Sequence, residues 1–497
     1  MTDVHGALTR QAELLDALLT PDPPPRRRWP YVVVALAVVA AASAVVGVAH
    51  YRSGPSGPPH PSTWDPRVQK YVDFVEKKRG LTFKHPVYVD FLSDAAFEKQ
   101  VTADRDELSD DDLEKLDQYA GTLRALGLVD GDVDLFDEQN ELRGTGVIGF
   151  YSYDDERLRI RGTEITPAVE STIVHELTHA VQDQNLDLGQ RFAELDRSDD
   201  ANASSAAQGF GALVEGDARR IEGLWRDQLS GSERAALDKE QKKGQKGFEK
   251  RAKNIPEVLV TMMAAPYDLG QALLAVAVQQ GGDGAVDGLF RSPPRTDEQQ
   301  LDPWTMLADH QGVLTVPEPE VPSGAKAFDE GSFGAISWLM VLSERLPAAQ
   351  ALTAVDGWGG DSYAAYQQDG VSCVSVGYRG DTPADLAQMN SALRTWVAKG
   401  PKKSAGVSKQ DQTLVFHSCD PGKGAPKVAS GRSQGALRLA LTRTYLSLQL
   451  LKAGLDVGVA RCGADRLVHE LTPAQLNGRH LDKQTLLRAI QPCRKDR

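Results

Sequence analysis

The sequence predicts an α+β protein in which a small mixed sheet with a hairpin at its edge comes before one long helix, and a mainly helical lobe follows. Two observations predict this order. Short segments between residues 87 and 162 carry strand patterns, and the chain from Thr166 onward returns to helical spacing. A third observation, one uncharged apolar segment near the start, adds a single N-terminal transmembrane helix.

The composition is that of a folded, acidic protein. Its 497 residues are enough for two or three domains, and a hydrophobic content of 41% with a charged content of 25% is ordinary for globular chains. The formal net charge is −13. Because nucleic-acid binding needs a basic surface that neutralises phosphates, this charge argues against a nucleic-acid partner.

The first fifty residues predict a membrane anchor. Residues 1–28 form a short tail, and the uncharged stretch from Tyr31 to Ala49 lies within a predicted transmembrane helix over residues 29–50. Three arginines, residues 26–28, precede this helix, and positive residues favour the cytoplasmic side. We therefore expect a single-pass protein of the cell membrane with a cytoplasmic N-terminus and an extracellular C-terminal bulk.

The competing interpretation is a secretory signal peptide. Small residues at 42–44 and 47–49 resemble cleavage sites, and cleavage there would release a secreted protein. The long leader before the apolar stretch and the length of that stretch favour the anchor. Both interpretations place the rest of the chain outside the cytoplasm.

Local patterns predict the elements that follow. A Pro/Gly/Ser linker over residues 51–66 leads into a helix from Pro66 to about Lys78. The segment VYVDFL, Val87 to Leu92, is rich in β-branched and aromatic residues and predicts a strand, after which acidic helical sequence follows. Residues 146–153 and 157–162 flank an Asp-Asp-Glu turn and predict the hairpin.

The long helix begins at a clear signal. Thr166 is followed by Pro167, and a threonine cap with proline at the first helical position favours a helix start. Beyond this helix, the lysine-rich residues 230–253 predict a solvated helix pair or an insertion in preference to a binding patch, and residues 255–346 return to helical spacing. We assign these elements to one domain over residues 67–350.

Residues 351–497 form a predicted C-terminal region, which is either a separate module or a continuation. It contains all four cysteines: Cys373, Cys419, Cys462 and Cys493. An even number of cysteines in an exported chain predicts two disulfides, for which three connectivities exist. Sequential pairing, Cys373 with Cys419 and Cys462 with Cys493, closes the shorter loops and is favoured.

The long helix carries the main chemical signal, IVHELTHAVQD. Residues four apart on a helix point to the same side, so His175 and His179 share one face and Glu176 lies beside them. This HExxH spacing suits two imidazole ligands of zinc and a glutamate that takes a proton from the metal-bound water. The alternative is a solvated polar face. Histidines are scarce in this part of the chain, which favours the metal site.

A catalytic zinc usually has three protein ligands and an open position for water. The HExxHxxGxxH arrangement is excluded because position 182 is Gln and position 185 is Asn. A carboxylate on a later helix is therefore expected, and four side chains are candidates: Glu194, Glu215, Asp217 and Glu222. Glu215 lies at the flank of an apolar helical stripe, where Gly216 would allow another helix to approach closely. Asp217 lies nearer the centre of that stripe.

The sequence HELTHAVQD, followed by LVEGDA and then PYDLG, resembles the gluzincin metallopeptidases, in particular bacterial secreted or membrane-anchored neutral zinc metallopeptidases. The resemblance covers about residues 67 to 370. It implies a zincin-like fold and one Zn²⁺ per chain, bound by His175, His179 and Glu215, with Glu176 as the general base. Glu215 follows His179 by 36 residues, more than in thermolysin-like enzymes, so Asp217 is the second choice for the third ligand.

The expected reaction is hydrolysis of a peptide bond by a metal-activated water. Glu176 would accept the water proton and deliver it to the leaving amine. The developing oxyanion needs a further donor, for which Tyr267 is favoured over His310. Asp183 and Asp217 are expected to support the ligands through hydrogen bonds. The hairpin is placed to bind a substrate strand along its edge.

These patterns predict a zinc-dependent endopeptidase that acts on extracytoplasmic proteins or peptides. One alternative is an inactive zincin-like binding or scaffold protein of the cell envelope, which would need no base at Glu176. Another is an envelope interaction protein whose cysteine-containing region carries the function. The sequence predicts no particular substrate sequence and no oligomeric state.

Overall fold

The computed structural model describes residues 58–198, 202–476 and 483–494. The predicted cytoplasmic tail, the predicted transmembrane helix and linker residues 51–57 lie outside these residues. The described chain is a mixed α+β protein, mainly helical, with two sheets. The predicted α+β class is confirmed.

The chain before the long helix forms short helices and the first sheet. These elements are α1 (Gln69–Arg79), β1 (Tyr88–Leu92), α2 (Asp94–Val101), α3 (Asp110–Ala125), α4 (Leu135–Gly146), β2 (Gly149–Ser152) and β3 (Arg157–Arg161). The strand order is β1-β3-β2, with β1 parallel and β2 antiparallel to β3. The small mixed sheet is therefore confirmed, and β2 forms the hairpin edge.

The alternating sequence of β3 explains why this hairpin forms in one register. Leu158 and Ile160 are fully buried, while the three arginines that alternate with them, at 157, 159 and 161, lie on the other face. Arg157 pairs with Asp90 on β1 at 2.9 Å. Glu156 in the turn has φ +50, the left-handed conformation that closes a tight connection. Because a slip by one residue would expose the apolar face, the register is well determined.

The long helix, α5 (Pro167–Leu186), begins where the sequence predicts. The Thr166 hydroxyl accepts a hydrogen bond from the Val169 N–H, and Pro167 occupies the first position. The helix ends at Asp187, whose φ of +51 is left-handed. Most of its length is buried between the first sheet and the helices that follow, so its polar side chains lie inside the protein.

Seven further helices lead toward the second sheet. They are α6 (Leu188–Asp196), α7 (Ala203–Gln228), α8 (Gly231–Arg251), α9 (Glu257–Gly281), α10 (Gly284–Arg291), α11 (Glu298–Leu301) and α12 (Pro303–Leu307). The lysine-rich segment forms one solvated helix, α8, so the prediction of a helix pair was wrong. Ser230 and Glu233 form a capping box at its start, and Gly244 and Gly247 in its interior do not interrupt it.

Helix α9 lies in the centre of the lobe. Within the described part of the chain, it is the one helix whose length and hydropathy would suit a membrane span. Of its most apolar window, 67% is buried inside the protein. Its apolar character is accounted for by this packing.

The sequence did not predict the second sheet. The remaining elements are β4 (Lys326–Gly331), α13 (Ala335–Arg345), α14 (Ala348–Val355), β5 (Trp358–Gln368), β6 (Val371–Gly380), α15 (Pro383–Ala398), β7 (Ala405–Gln410), β8 (Thr413–Cys419), α16 (Ser433–Lys452), α17 (Val457–Glu470), α18 (Pro473–Leu476) and α19 (Lys483–Cys493). The antiparallel order is β4-β5-β6-β8-β7. Strands β5 and β6 are buried on both faces over most of their length, whereas β8 alternates between buried and more exposed residues.

Two disulfides hold the C-terminal region together. Cys373 on β6 bonds to Cys419, its direct partner on β8, and Cys462 on α17 bonds to Cys493 on α19. The predicted sequential pairing is confirmed. One hydrophobic core contains residues from both sides of position 350, among them Trp338 from α13 and Phe416 from β8. The C-terminal region therefore shares its core with the preceding lobe.

Candidate metal centre

Three side chains from two helices meet at one point. His175 and His179 lie on α5, and Glu215 lies on α7. The Nε2 atoms of the two histidines are 3.1 Å apart, and Glu215 Oε2 lies 3.2 Å from His175 Nε2 and 3.4 Å from His179 Nε2. All three ligand atoms lie within 4.8 Å of one another.

These distances match the edges of a zinc coordination tetrahedron. Ligands about 2.0–2.1 Å from a tetrahedral ion lie about 3.3 Å from each other. The three observed separations, 3.1 to 3.4 Å, are of this size. Two imidazoles and one carboxylate form a donor set that suits zinc better than calcium or magnesium, which prefer oxygen ligands. The residues present therefore fit one zinc ion and leave a fourth position for another ligand.

Both imidazoles are oriented by contacts at their other nitrogen. His175 Nδ1 lies 3.4 Å from Glu222 Oε2, and His179 Nδ1 lies 3.2 Å from Gln182 Oε1. An acceptor beside Nδ1 assigns the proton to that nitrogen and turns the lone pair of Nε2 toward the centre. The sequence had assigned neither contact.

The amide of Gln182 is itself fixed. Its Nε2 donates to Asp217 Oδ2 at 2.9 Å and to the Val214 carbonyl at 3.4 Å, so its oxygen faces His179. Asp217 is fully buried and also forms an ion pair with Arg79 of α1. Asp217 therefore supports His179 through Gln182, and its carboxylate is committed to these partners instead of the three-donor group.

The other acidic candidates occupy different positions. Glu194 is exposed and accepts a hydrogen bond from Gln190. Glu222 accepts a hydrogen bond from the Ser171 hydroxyl at 2.7 Å and pairs with Arg219 at 3.1 Å. Of the four carboxylates considered from sequence, Glu215 is the one that joins both Nε2 atoms.

Asp183 has a different position from the one expected. Its carboxylate accepts hydrogen bonds from the Tyr151 hydroxyl and from the Gly189 N–H, each at 3.0 Å. It thus ties α5 to β2 and to the start of α6. The contacts with the Nδ1 atoms of the histidines come from Glu222 and Gln182 instead.

Glu176 faces the edge of the first sheet. Its Oε2 accepts a hydrogen bond from the Tyr151 backbone N–H at 3.0 Å, and its side chain is buried. Burial raises the pKa of Glu176, and the charge of Glu215 raises it further, against the opposing effect of the two histidines. Because Tyr151 donates to Glu176, the side of β2 that does not pair with β3 lies next to this carboxylate.

Tyr267 lies on α9 beside the three donors. Its ring centroid is 6.2 Å from that of His175, and the Arg219 guanidinium carbon lies 5.1 Å from the ring centroid. Its buried hydroxyl lies near the Glu215 carboxylate but makes no hydrogen bond of normal geometry among the described residues. Burial raises the pKa of Tyr267 well above its usual range, with a further contribution from the charge of Glu215. By contrast, His310 is exposed, in a loop after α12.

The three ionisable groups His175, Glu215 and Glu222 shift one another's pKa values. Burial alone would lower the pKa of His175, but hydrogen bonds to Glu215 and Glu222 raise it to about 10. Burial alone would raise the pKa of Glu215, but the charge of His179 outweighs burial and lowers this pKa to about 2. In the same way, the charge of Arg219 lowers the pKa of Glu222 to about 2. Glu215 and Glu222 therefore stay ionised beside a protonated His175, and the negative charge of these two carboxylates also suits a metal cation.

A close helix crossing brings α7 and α9 together at the centre. A Cβ atom on Gly216 would lie 2.3 Å from the carbonyl carbon of Gly270, and one on Gly270 would lie 1.8 Å from the Ala212 oxygen. Neither position can carry a side chain without separating the helices. Glu215 is next to one glycine and Tyr267 is one turn before the other, so the crossing brings these two residues to the same site.

Comparison with known proteins adds no assignment. No protein-family model, no curated protein and no solved structure matches this chain. Functional inference therefore depends on the residues and their geometry.

Proposed function

We propose that this protein is a zinc-dependent endopeptidase that hydrolyses peptide bonds of extracytoplasmic proteins or peptides. The observation that supports it most is the His175, His179 and Glu215 group, whose separations have the size of a zinc tetrahedron edge. A glutamate with a raised pKa, Glu176, lies on the next residue of the same helix. The gluzincin-like sequence pattern predicts the same arrangement.

The chain supplies the remaining parts of a hydrolytic site. A bound zinc would polarise the substrate carbonyl and acidify a water molecule. Glu176 is the group that takes a proton and returns it to the leaving amine, and a pKa raised toward neutrality suits both steps. The unpartnered Tyr267 hydroxyl can donate a hydrogen bond to the carbonyl oxygen as negative charge develops there.

The edge of β2 provides a place for an extended substrate. Its backbone groups on the side away from β3 lie beside Glu176, as the Tyr151 N–H shows. A peptide added to this edge would place its backbone across the candidate centre. This arrangement favours an endopeptidase that binds substrate as an additional strand.

The test measures zinc content and cleavage of an unstructured protein by the full chain and by Glu176→Gln. We expect both to bind about one zinc per chain and only the unchanged protein to cleave, because the substitution removes the base and keeps the ligands. Glu194→Gln, an exposed glutamate on α6, is the matched control and should remain active. Zinc binding without cleavage by any variant would instead favour the inactive scaffold protein.

A further inference from the structure

A row of lysines follows the exposed face of α8. The lysine stripe consists of Lys239, Lys242, Lys243, Lys246 and Lys250, all of them exposed. At 3.6 residues per turn, these positions fall within an arc of about 100°. Leu237 and Phe248 lie on the opposite side of the helix, where Leu237 is fully buried and Phe248 packs against the main core. The stripe therefore points directly away from the packed face.

Within the described chain, the five ammonium groups have no carboxylate partner at ion-pair distance. Among the described residues, ion pairs of lysines involve Lys70 and Lys423, and none involves the stripe. The acidic side chains of α8 are used elsewhere: Glu233 caps the helix, Asp238 pairs with Arg226, Glu240 accepts the Ala168 N–H of α5, and Glu249 accepts from Gln245. The stripe is thus a line of five ammonium groups that form no ion pair among the described residues.

This arrangement is unfavourable for an isolated helix. Like charges three and four residues apart repel one another on a helix surface, and the stripe contains several such pairs. Solubility does not explain the stripe, because the formal net charge of −13 already keeps the chain soluble without a row of lysines. A partner that carries dense negative charge would relieve the repulsion.

We propose that the lysine stripe docks the folded part of the protein on an anionic membrane surface. From Lys239 to Lys250 the stripe is about 16 Å long and straight, so all five ammonium groups can reach the phosphates of one flat headgroup layer. The apolar stretch that ends at Ala49 lies eight residues before the described chain begins. Eight residues span at most about 29 Å, which keeps the folded part next to the bilayer of a membrane-anchored chain.

The test uses the full chain in lipid nanodiscs made either of phosphatidylcholine alone or of an equal mixture with phosphatidylglycerol. A membrane-impermeant amine reagent labels the lysines, and mass spectrometry reports each labelling rate. We expect the stripe to be labelled about fivefold or more slowly in anionic discs, because one lysine near an anionic surface gains about that factor in partitioning. High salt should remove the protection. Five exposed lysines serve as controls: Lys326, Lys402, Lys403, Lys409 and Lys427.

A pair of matched variants gives the second measurement. Hydrogen–deuterium exchange of the α8 backbone amides should be slower in anionic discs than in phosphatidylcholine discs. Changing the five stripe lysines to Gln should abolish this difference, and the same change at the five control lysines should leave it intact. Equal labelling of the stripe in both lipids would overturn the proposal. So would protection that arises only with a soluble polyanion such as polyglutamate, since that result identifies a different partner. Neither measurement depends on peptide cleavage.

Discussion

Replacing Gly216 by alanine tests whether the helix crossing builds the candidate centre. The added Cβ would lie 2.3 Å from the carbonyl carbon of Gly270, whereas ordinary contact begins at 3.4 Å. Helices α7 and α9 would therefore have to separate by about 1.1 Å, the difference between these two distances. Glu215 and Tyr267 lie on opposite sides of this contact, so at least one must move relative to the histidines.

The expected size of the effect follows from that displacement. Overpacking a tight contact costs about 1–3 kcal/mol of the free energy of unfolding. A misplacement of about 1 Å at a reacting centre costs about a hundredfold in rate. We therefore expect Gly216→Ala to lower the unfolding midpoint, to weaken zinc binding and to lower kcat/KM about a hundredfold.

Gly223 provides a matched control on the same helix. A Cβ there would meet nothing within 4 Å, and alanine favours a helix over glycine by about 0.8–1.0 kcal/mol. Gly223→Ala should leave zinc affinity and activity unchanged and should not lower stability. Denaturant unfolding, chelator competition and peptide cleavage are measured for both variants. If Gly216→Ala behaves like Gly223→Ala in all three, the close crossing does not position the centre.

Three further changes have defined outcomes. Gln182→Leu removes the contact with His179 Nδ1 and should weaken zinc binding about 10- to 100-fold in chelator competition, so unchanged affinity would refute the supporting role of Gln182. Tyr267→Phe should lower kcat about 10²- to 10³-fold and leave the zinc content unchanged. Its stability should not fall, because the hydroxyl that it removes makes no hydrogen bond. An undiminished kcat would exclude Tyr267 as the oxyanion donor. Burial, with a contribution from the charge of Asp361, raises the pKa of Asp297 to about 7, from about 3.9 in an unfolded chain. The folded state therefore binds a proton that the unfolded state releases, and this contribution to stability should fall as pH rises from about 4 to 7. Asp297→Asn should flatten that part of the pH dependence in urea unfolding, and an unaltered profile would contradict the raised pKa.

Local sequence patterns were sufficient for the elements around the centre. The alternation of Leu158 and Ile160 with arginines set the hairpin, and Thr166 with Pro167 set the start of α5. The spacing of four between His175 and His179 placed both on one face, since that geometry belongs to any α-helix. The disulfide pairing also followed from the order of the cysteines.

Other features depended on contacts between distant segments. The second sheet was missed: β5 and β6 are buried on both faces over most of their length, and the alternation within β8 is too short to establish a sheet by itself. The sequence carried only a weak signal for the contacts that Glu222 and Gln182 make with the histidines. Glu222 lies two turns after Glu215 and Gln182 lies one turn after His179, so each is on the same side of its helix as a metal-ligand candidate. Which carboxylate would meet the histidines was not decided by composition or spacing.

The sequence alone determined the α+β class, the hairpin, the start of the long helix and the paired histidines, because each depends on periodicity or capping within a short segment. Only the tertiary structure decided how the elements meet. It placed Glu215 between the histidines, committed Asp217 to Arg79 and Gln182, and brought Tyr267 to the centre. These contacts join segments far apart in sequence, so no local pattern could fix them; for Tyr267 the physical reason is the contact between Gly216 and Gly270, which lets α7 and α9 approach closely enough to share one site.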